Sequence, residues 1–350
     1  MTIYDPTALR RELHEMPELA LHEKRTSAYV AEKLKALGIE THENVGGSTG
    51  VVGIIRGTEP GPVFMLRADM DALPFVIDGK PCCIHACGHD GHTAMLLAAA
   101  SRLKDKIKRG TLKLLFQPAE ETLQGAPVII KAGVIDDVDY ALGAHIRPIQ
   151  DVPAGMLCAA VRHTASTTLT IVIKGRGAHA SRPHLGINAI DAACALMNGI
   201  QAIWLDPKMS WSAKATQIHA DSGATNTVPD LARITYDCRA QTNELMDDLL
   251  AQIRRVAAGT AAAYGAEAEV ILRDQSPACL YDDDFVAEVA EAIKETAGPD
   301  KLAPDCGGGG EDFHNYKLAR PEIKAAYFGV GVGAAPGLHA PTMHFDDTLL

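Results

Sequence analysis

The sequence predicts an α/β protein built around a mostly parallel sheet, with a second domain of ferredoxin-like order inserted into it. The chain has 350 residues, of which 47% are hydrophobic, and this is enough to form two domains. Strands alternate with helices in its first part, as in an α/β sandwich. A β-α-β-β-α-β order then takes over. We therefore expect one domain of residues 1–164 and 277–350, and an inserted domain of residues 165–276.

The elements of the first domain follow from apolar periodicity and from turn residues. Apolar residues at helical spacing predict one or two helices within residues 8–37, with Gly38 as the stop. The next elements are strands at 50–55 and 62–66, a helix at 91–107, and strands at 112–116 and 140–144. We expect the segment 75–84 to be a short loop.

The inserted domain shows the same two periodicities in a different order. Its predicted elements are a strand at 168–173, a helix at 188–205, strands at 216–219 and 233–238, a helix at 244–264 and a strand at 268–272. After it the first order resumes, with a helix at 284–296 and a strand at 324–329.

Composition excludes several classes of partner. A net charge of -11 and a pI near 5.7 argue against nucleic acid and anionic membrane surfaces. No apolar run approaches the roughly 20 residues that span a bilayer. The first residues contain no signal-peptide core, so we expect a cytoplasmic protein. The eight cysteines are irregularly spaced, and most should be free thiols.

Residues 85–92, His-Ala-Cys-Gly-His-Asp-Gly-His, form a dense group of metal-ligand side chains. Cys87 and His89 are two residues apart, so a turning segment could present both to one metal ion. The alternative is a histidine-rich helix start with a buried thiol.

Five clusters of such residues follow predicted strands of the first domain. In α/β sheets, ligands bind at this edge. The clusters are residues 67–74, 85–92, 117–121, 143–145 and 337–341. Because unpaired buried charges are costly, five clusters at one edge favour a functional site over chance.

On these residues the chain resembles the M20 family of metal-dependent amidohydrolases and peptidases. The branch is that of hippurate hydrolases, auxin-conjugate hydrolases and N-acetyldiaminopimelate deacetylases. The matching stretches are LHEMPELALHE, MLRADMDALP, HACGHDGHTAM, FQPAEE, GAH, GRGAHASRPH, ATNTVPD, YDCRAQTN, GGGGEDF and GLHAP, which run from residue 13 to 341.

The resemblance implies a site with two divalent metal ions, Mn²⁺ or Zn²⁺ first, with Ni²⁺ or Co²⁺ as alternatives. The implied ligands are Cys87, His89, Glu121, His145 and His339. Glu120 is the implied general base, and Asp71 the second catalytic acid residue, which orients the metal site. The residues alone leave open which of the two adjacent glutamates is base and which is ligand. Asp90, His85, His92 and His344 are expected to cap helices or to hold other side chains.

The inserted domain carries three further residues that the resemblance assigns to substrate binding. His179 would stabilise the oxyanion, and Asn226 and Arg239 would hold a substrate carboxylate. The family implies that this domain closes over the substrate and pairs two chains, so we expect a homodimer. Gly307 to Gly310 is read either as a backbone cradle or as a flexible loop.

The favoured function is therefore metal-dependent hydrolysis of N-acyl amino acids or related conjugates, by a water that two metals activate. Alternatives are a dipeptidase or carboxypeptidase of the same fold, and a catalytically silent metal- or ligand-binding protein. The complete set of ligand and acid residues argues against the silent protein.

Overall fold

The computed structural model describes residues 3–350, so Met1 and Thr2 of the predicted first domain lie outside the described residues. The chain forms two compact units. The first contains the residues up to Arg162 together with Leu280–Leu350, and the second is His163–Cys279. The sequence placed the corresponding boundaries at 164/165 and 276/277, two and three residues away.

The first unit begins with nine strands and four helices. The helices are α1 (Pro6–His14), α2 (Lys24–Ala36), α3 (His89–Leu103) and α4 (Gly125–Lys131). The strands are β1 (Glu40–Val45), β2 (Gly50–Arg56), β3 (Glu59–Asp69), β4 (Leu73–Ile77), β5 (Lys80–Ile84), β6 (Arg109–Gln117), β7 (Tyr140–Pro148), β8 (Leu157–Cys158) and β9 (Val161–His163), whose last residue opens the second unit.

The second unit has the β-α-β-β-α-β order. Its elements are β10 (Ala165–Lys174), β11 (Ala178–His179), α5 (Ala189–Gln201), β12 (Trp211–His219), β13 (Thr227–Val228), β14 (Leu231–Ala240), α6 (Asn243–Ala263) and β15 (Glu267–Ser276). Four of these strands form an antiparallel sheet in the order β12-β14-β10-β15, and β11 pairs with β13. Leu169, Ile171 and Ile173 of β10 alternate onto one face and pack against both helices.

The first unit then resumes, with α7 (Asp283–Thr296), β16 (Leu302–Ala303), β17 (Cys306–Gly308), α8 (His314–Ala319) and β18 (Lys324–Ala334). Its main sheet has the order β1-β2-β6-β3-β7-β18-β8-β16. The central strands β6, β3, β7 and β18 are parallel to one another. The predicted fold class, a mixed α/β protein with a mostly parallel sheet, is confirmed.

Both faces of this sheet are covered. Leu114 and Phe116 of β6 pack on one face with α1, α2 and α3, while Leu115 packs on the other with α4 and α8. Alternation along the strand therefore supplies two cores, as an α/β sandwich requires. Across residues 3–350, no helix is both long and apolar enough to cross a lipid bilayer.

The segment 75–84 is a β-hairpin, so the expected loop is wrong. β4 and β5 pair antiparallel around Asp78 and Gly79. Both turn residues have positive φ, 51° and 75°, which fits an Asp-Gly type I′ turn.

Candidate metal centre

The site residues of the first unit gather because four parallel strands end at one edge of the sheet. Asp71 follows β3, Glu120 and Glu121 follow β6, His145 lies in β7, and His339 follows β18. The carboxyl ends of adjacent parallel strands are where α/β folds bind ligands. The topology thus places these chemistry-bearing residues at the predicted edge.

The first turn of α3 adds Cys87 and His89 to this edge. Gly88 caps the helix in a left-handed conformation with φ 92°. A Cβ at Gly88 would lie 2.2 Å from Cδ1 of Ile146, so the position requires glycine. This tight turn lets Cys87, which precedes the N-cap residue, and His89, the first residue of the helix, share one site.

Cys87, His89 and His145 form the first candidate ligand group. Sγ of Cys87 is 3.4 Å from Nε2 of His145. Nδ1 of His145 lies 2.5 Å from the carbonyl oxygen of Ile146 and donates to it, which leaves Nε2 of the neutral ring without a proton. Burial holds the pKa of His145 well below its usual value, so the ring is neutral and can act as a ligand.

The ring of His89 is oriented by Asp71. Its Nδ1 lies 3.1 Å from Oδ1 of Asp71, while its Nε2 is buried and has no hydrogen-bond partner within residues 3–350. Nε2 is 3.8 Å from Glu121 and 3.9 Å from Glu120. Burial lowers the pKa of His89, but Asp69 and the other anionic neighbours outweigh it and raise that pKa well above the usual value. The site therefore calls for positive charge at Nε2.

Cys87, Glu121 and His339 form the second candidate group. Oε2 of Glu121 is 3.4 Å from Nε2 of His339, and its Oε1 is buried without a partner. The backbone N–H of Glu121 donates to Oδ2 of Asp71 at 3.0 Å. His339 has φ 64°, and its N–H donates to the carbonyl of Ala86 at 2.8 Å, which ties its loop to the Cys87 segment.

The donor set fits two divalent cations. Sulfur, imidazole nitrogen and carboxylate oxygen suit zinc and similar ions, and Cys87 belongs to both groups. Two of the converging atoms, Nε2 of His89 and Oε1 of Glu121, are buried without partners among residues 3–350. Burial and the charge of Glu121 raise the pKa of the Cys87 thiol, so a thiolate there needs a cation beside it.

Glu120 faces the same site from the turn after β6. Burial, with the charges of Glu311 and Glu121, raises its pKa well above the usual value. Ala119 has φ 55°, and its N–H donates to the buried carboxylate of Glu23 at 2.9 Å. Glu23 therefore braces the turn that presents the two adjacent glutamates.

Glu120 lies close to Glu311 and Asp312, whose carboxylates bind the buried Arg67. Arg67 donates to Asp69 at 2.6 Å, and to Glu311 and Asp312 at 2.9 Å each, with all of these side chains almost fully buried. The predicted cradle or flexible loop covers Gly307 to Gly310. The next two residues, Glu311 and Asp312, are anchored, because a buried guanidinium requires carboxylate partners. Arg67, in the core of the sheet, was the signal that could have revealed them.

Four neighbouring polar residues have other partners or none. Asp90 binds Arg10 and His14, and His344 is exposed beside the carbonyl of Thr342. His92 is hydrogen-bonded to Asp69, and both ring nitrogens of His85 are buried with no hydrogen-bond partner in the described part of the chain.

In the second unit, His179 and Asn226 are neighbours and Arg239 lies apart on β14. His179 is exposed on β11, and its Nδ1 accepts from the N–H of Ser181 at 3.1 Å. The carbonyl of Asn226 accepts from the N–H of Ala180 at 2.8 Å. Arg239 donates to both carboxylate oxygens of Asp237, at 2.8 and 2.9 Å.

Comparison with known proteins gives matches along nearly the whole chain. Residues 65–350 match the sequence profile of peptidase family M20/M25/M40. A thermostable carboxypeptidase of Saccharolobus solfataricus is 36% identical, over 92% of this chain and 84% of its own. An N-acetylcysteine deacetylase of Bacillus subtilis is 32% identical, over 98% and 92%. A hippurate hydrolase of Campylobacter jejuni is 35% identical, over 83% and 78%.

Solved structures agree in fold. A dinuclear metal-binding peptidase from Bacillus subtilis superimposes with a TM-score of 0.81 at 30% identity, covering 98% of this chain and 93% of its own. An aminobenzoyl-glutamate utilization protein from Klebsiella pneumoniae gives 0.74 at 27% identity, covering 93% and 90%.

Proposed function

Because the chain belongs to peptidase family M20/M25/M40, we propose that it hydrolyses the amide bond of N-acyl amino acids or related conjugates. The products are a carboxylate and an amino acid. Two relatives, a deacetylase of N-acetylcysteine and a hippurate hydrolase, carry names of such reactions. The second of the two solved structures, from Klebsiella pneumoniae, is named for the utilization of aminobenzoyl-glutamate.

The observation that carries the proposal is the shared position of Cys87 in two ligand groups. Cys87, His89 and His145 would hold one divalent cation, and Cys87, Glu121 and His339 the other. A thiolate is suited to bridge the two, since both can share its charge. We propose Mn²⁺ or Zn²⁺ as the pair, with Ni²⁺ or Co²⁺ as substitutes.

In this proposal Glu120 moves the proton. Bound cations would lower the pKa of a water molecule and polarise the substrate carbonyl. Glu120 accepts the proton that this water loses as it attacks, and then delivers it to the leaving nitrogen. Its raised pKa makes its carboxylate, once ionised, a better proton acceptor than that of an exposed glutamate. Asp71 holds His89 and the backbone of Glu121 in place during the reaction.

The second unit would supply the contacts to the rest of the substrate. We propose that His179 stabilises the oxyanion and that Asn226 and Arg239 hold a substrate carboxylate. The two hydrogen bonds that Arg239 donates to Asp237 keep its guanidinium group in one orientation, as the binding of a carboxylate requires.

The second unit is also our candidate for dimerisation. β12 is an edge strand of its sheet, and from Lys214 to His219 it is exposed. An exposed edge can pair with a second copy. We therefore propose that two chains form a homodimer, and sedimentation at micromolar concentration tests this oligomeric state. The cytoplasm is the location that we propose for it.

A carboxypeptidase or dipeptidase is the second candidate function. It rests on the 36% identity to a thermostable carboxypeptidase. Both reactions release an amino acid from an amide bond, so the two candidate functions differ in the acyl group that is removed. In a dipeptide that acyl group carries a free α-amino group, whereas an acetyl or benzoyl group has none.

The deciding experiment is a hydrolysis screen of acetyl- and benzoyl-amino acids beside dipeptides, with each of the four metals added to metal-free enzyme. We expect acyl-amino acids to be cleaved only when metal is present. Cys87→Ala should abolish this activity and lower metal content, whereas Cys82→Ala, at an exposed thiol, should change neither. Full activity and unchanged metal content in Cys87→Ala would refute the proposal.

A further inference from the structure

His92 lies one turn after His89 on α3, among the candidate metal ligands. Its ring is grouped with Asp69 and His89 at distances that could hold an ion. However, both of its ring nitrogens already have partners. Nδ1 is 2.6 Å from Oδ1 of Asp69, and Nε2 accepts a hydrogen bond from the backbone N–H of Ile146 at 2.9 Å.

The bond from the N–H of Ile146 shows which ring nitrogen of His92 carries the proton. A backbone N–H can only donate, so Nε2 of His92 has no proton. The ring proton is then on Nδ1, where it is donated to the carboxylate of Asp69. With Nδ1 donating and Nε2 accepting, the ring of His92 has no lone pair left for a metal.

We propose that His92 is a positioning residue that aims the metal ligand His145. This inference rests on the proposed function, because it assumes that His145 binds a cation. Ile146, which follows His145, is held at its N–H by His92, and its carbonyl accepts from Nδ1 of His145. Because the backbone of Ile146 is held in place, the ring of His145 is also held, with its Nε2 close to Sγ of Cys87.

Packing acts in the same direction as the hydrogen bonds. The rings of His92 and His145 lie 4.3 Å apart at 65°, an edge-on contact that limits rotation of His145. Both side chains are buried. The ring of His145 is therefore restrained at its backbone and at its face.

The other end of the relay is equally rigid. Asp69 ends β3, and its second carboxylate oxygen accepts from the buried guanidinium of Arg67 at 2.6 Å. Its carbonyl accepts from Thr93, the residue after His92, at 2.7 Å. The relay thus joins the end of β3, the first turns of α3 and the end of β7, which are three of the elements that converge at the site.

Two substitutions separate the two bonds of His92. In His92→Asn the amide reaches the position of Nδ1, so it can still donate to Asp69 but gives Ile146 no acceptor. In His92→Gln the longer amide reaches the position of Nε2, so its oxygen can accept from Ile146. The inference holds that the bond to Ile146 aims His145, so glutamine should preserve metal binding and asparagine should not.

The first test uses the wild-type protein, labelled with ¹⁵N and loaded with a spin-active cadmium isotope. Long-range proton–nitrogen spectra report which ring nitrogen of each histidine is protonated and which couples to the metal. We expect His92 to carry its proton on Nδ1 and to show no cadmium coupling, while His145 couples through Nε2. Cadmium coupling at His92, or a proton on its Nε2, would overturn the inference. If no histidine couples to cadmium, the proposed function fails, and the tautomer of His92 still tests the inference.

The second test compares the two variants. We expect the metal dissociation constant of His92→Asn to rise about 10- to 100-fold, the usual effect of removing a residue that orients a ligand, and that of His92→Gln to stay within about threefold. In His92→Asn the cadmium coupling of His145 should weaken while that of His89 persists, which a general loss of stability would not produce. Equal effects in both variants, or none in His92→Asn, would refute the inference.

Discussion

Asp71→Asn should weaken metal binding because both partners of Asp71 are hydrogen-bond donors. Oδ2 accepts from the backbone N–H of Glu121 at 3.0 Å. Oδ1 faces Nδ1 of His89 at 3.1 Å, and this nitrogen must carry the ring proton if Nε2 is to bind a cation. Asparagine has one acceptor and one donor, so its amino group will face another donor in either orientation.

The magnitude follows from that mismatch. A hydrogen bond to a charged group contributes about 1.5–3 kcal/mol, and a buried donor left unpaired costs a similar amount. At about 1.36 kcal/mol per tenfold change, loss of one such bond corresponds to a fall in metal affinity of roughly 10- to 150-fold. The loss falls on His89 or on Glu121, one in each candidate ligand group.

The assay is competition between the protein and a chromophoric chelator, with metal content measured by mass spectrometry. Asp90→Asn is the matched control, because Asp90 is also a buried acid at the start of α3 but binds Arg10 and His14. We expect it to leave metal affinity unchanged. Unchanged affinity in Asp71→Asn, or an equal fall in Asp90→Asn, would refute the reasoning.

The control also predicts a pH dependence of stability. Burial raises the pKa of Asp90, but the charge of His85 and the contacts with His14 and Arg10 outweigh it and lower that pKa to about 2. A lowered pKa stabilises the fold above the unfolded value near 4, and this stabilisation is lost as the pH falls towards 2. Asp90→Asn should therefore cost about 2 kcal/mol in unfolding free energy at neutral pH, and the gap to wild type should close between pH 4 and 2. A constant gap across that range, measured by urea unfolding, would contradict this.

Three further predictions concern the base, the substrate and the thiols. Glu120→Gln should keep its metal and lose about 10²–10⁴-fold in kcat, while Glu121→Gln should lose metal, and the reverse result would exchange their roles. Arg239→Ala should raise KM about 10- to 100-fold for substrates with a free carboxylate and change it little for amidated ones, so equal changes would make Arg239 structural. The sulfur atoms of Cys158 and Cys306 are 3.6 Å apart. Exchange with an added small-molecule disulfide should therefore join the two cysteines in a disulfide and release the small molecule as two thiols. Peptide mapping that finds no such cross-link in wild type would contradict this.

The sequence was informative where a pattern is local. Alternation of apolar residues located the central strands, and the predicted helix at 91–107 overlaps α3, which is His89–Leu103. The polar strand β1, Glu40–Val45, was missed because an edge strand exposes most of its side chains and shows no apolar pattern. The β4–β5 hairpin was missed although Asp78 and Gly79 are its turn residues.

The residue types of the site could be predicted because they cluster after strands that end at one edge. Their hydrogen-bond partners could not be predicted, since a bond between residues far apart in the sequence produces no local pattern. Arg67 and Glu311 meet across 244 positions of chain. A buried guanidinium predicts that carboxylates exist, but only the packing of the sheet selects Asp69, Glu311 and Asp312.

By itself, the sequence determined the fold class, the family resemblance and the set of residues able to bind metals, because these depend on residue type and local order. Only the tertiary structure decided which atoms of these residues face one another. Within residues 3–350, it gave Cys87 a place in both candidate ligand groups, left Nε2 of His89 without a hydrogen-bond partner, and gave both ring nitrogens of His92 a partner. The reason is physical: ligand or support is a matter of which atom faces which neighbour, and that direction is set by backbone packing far along the chain.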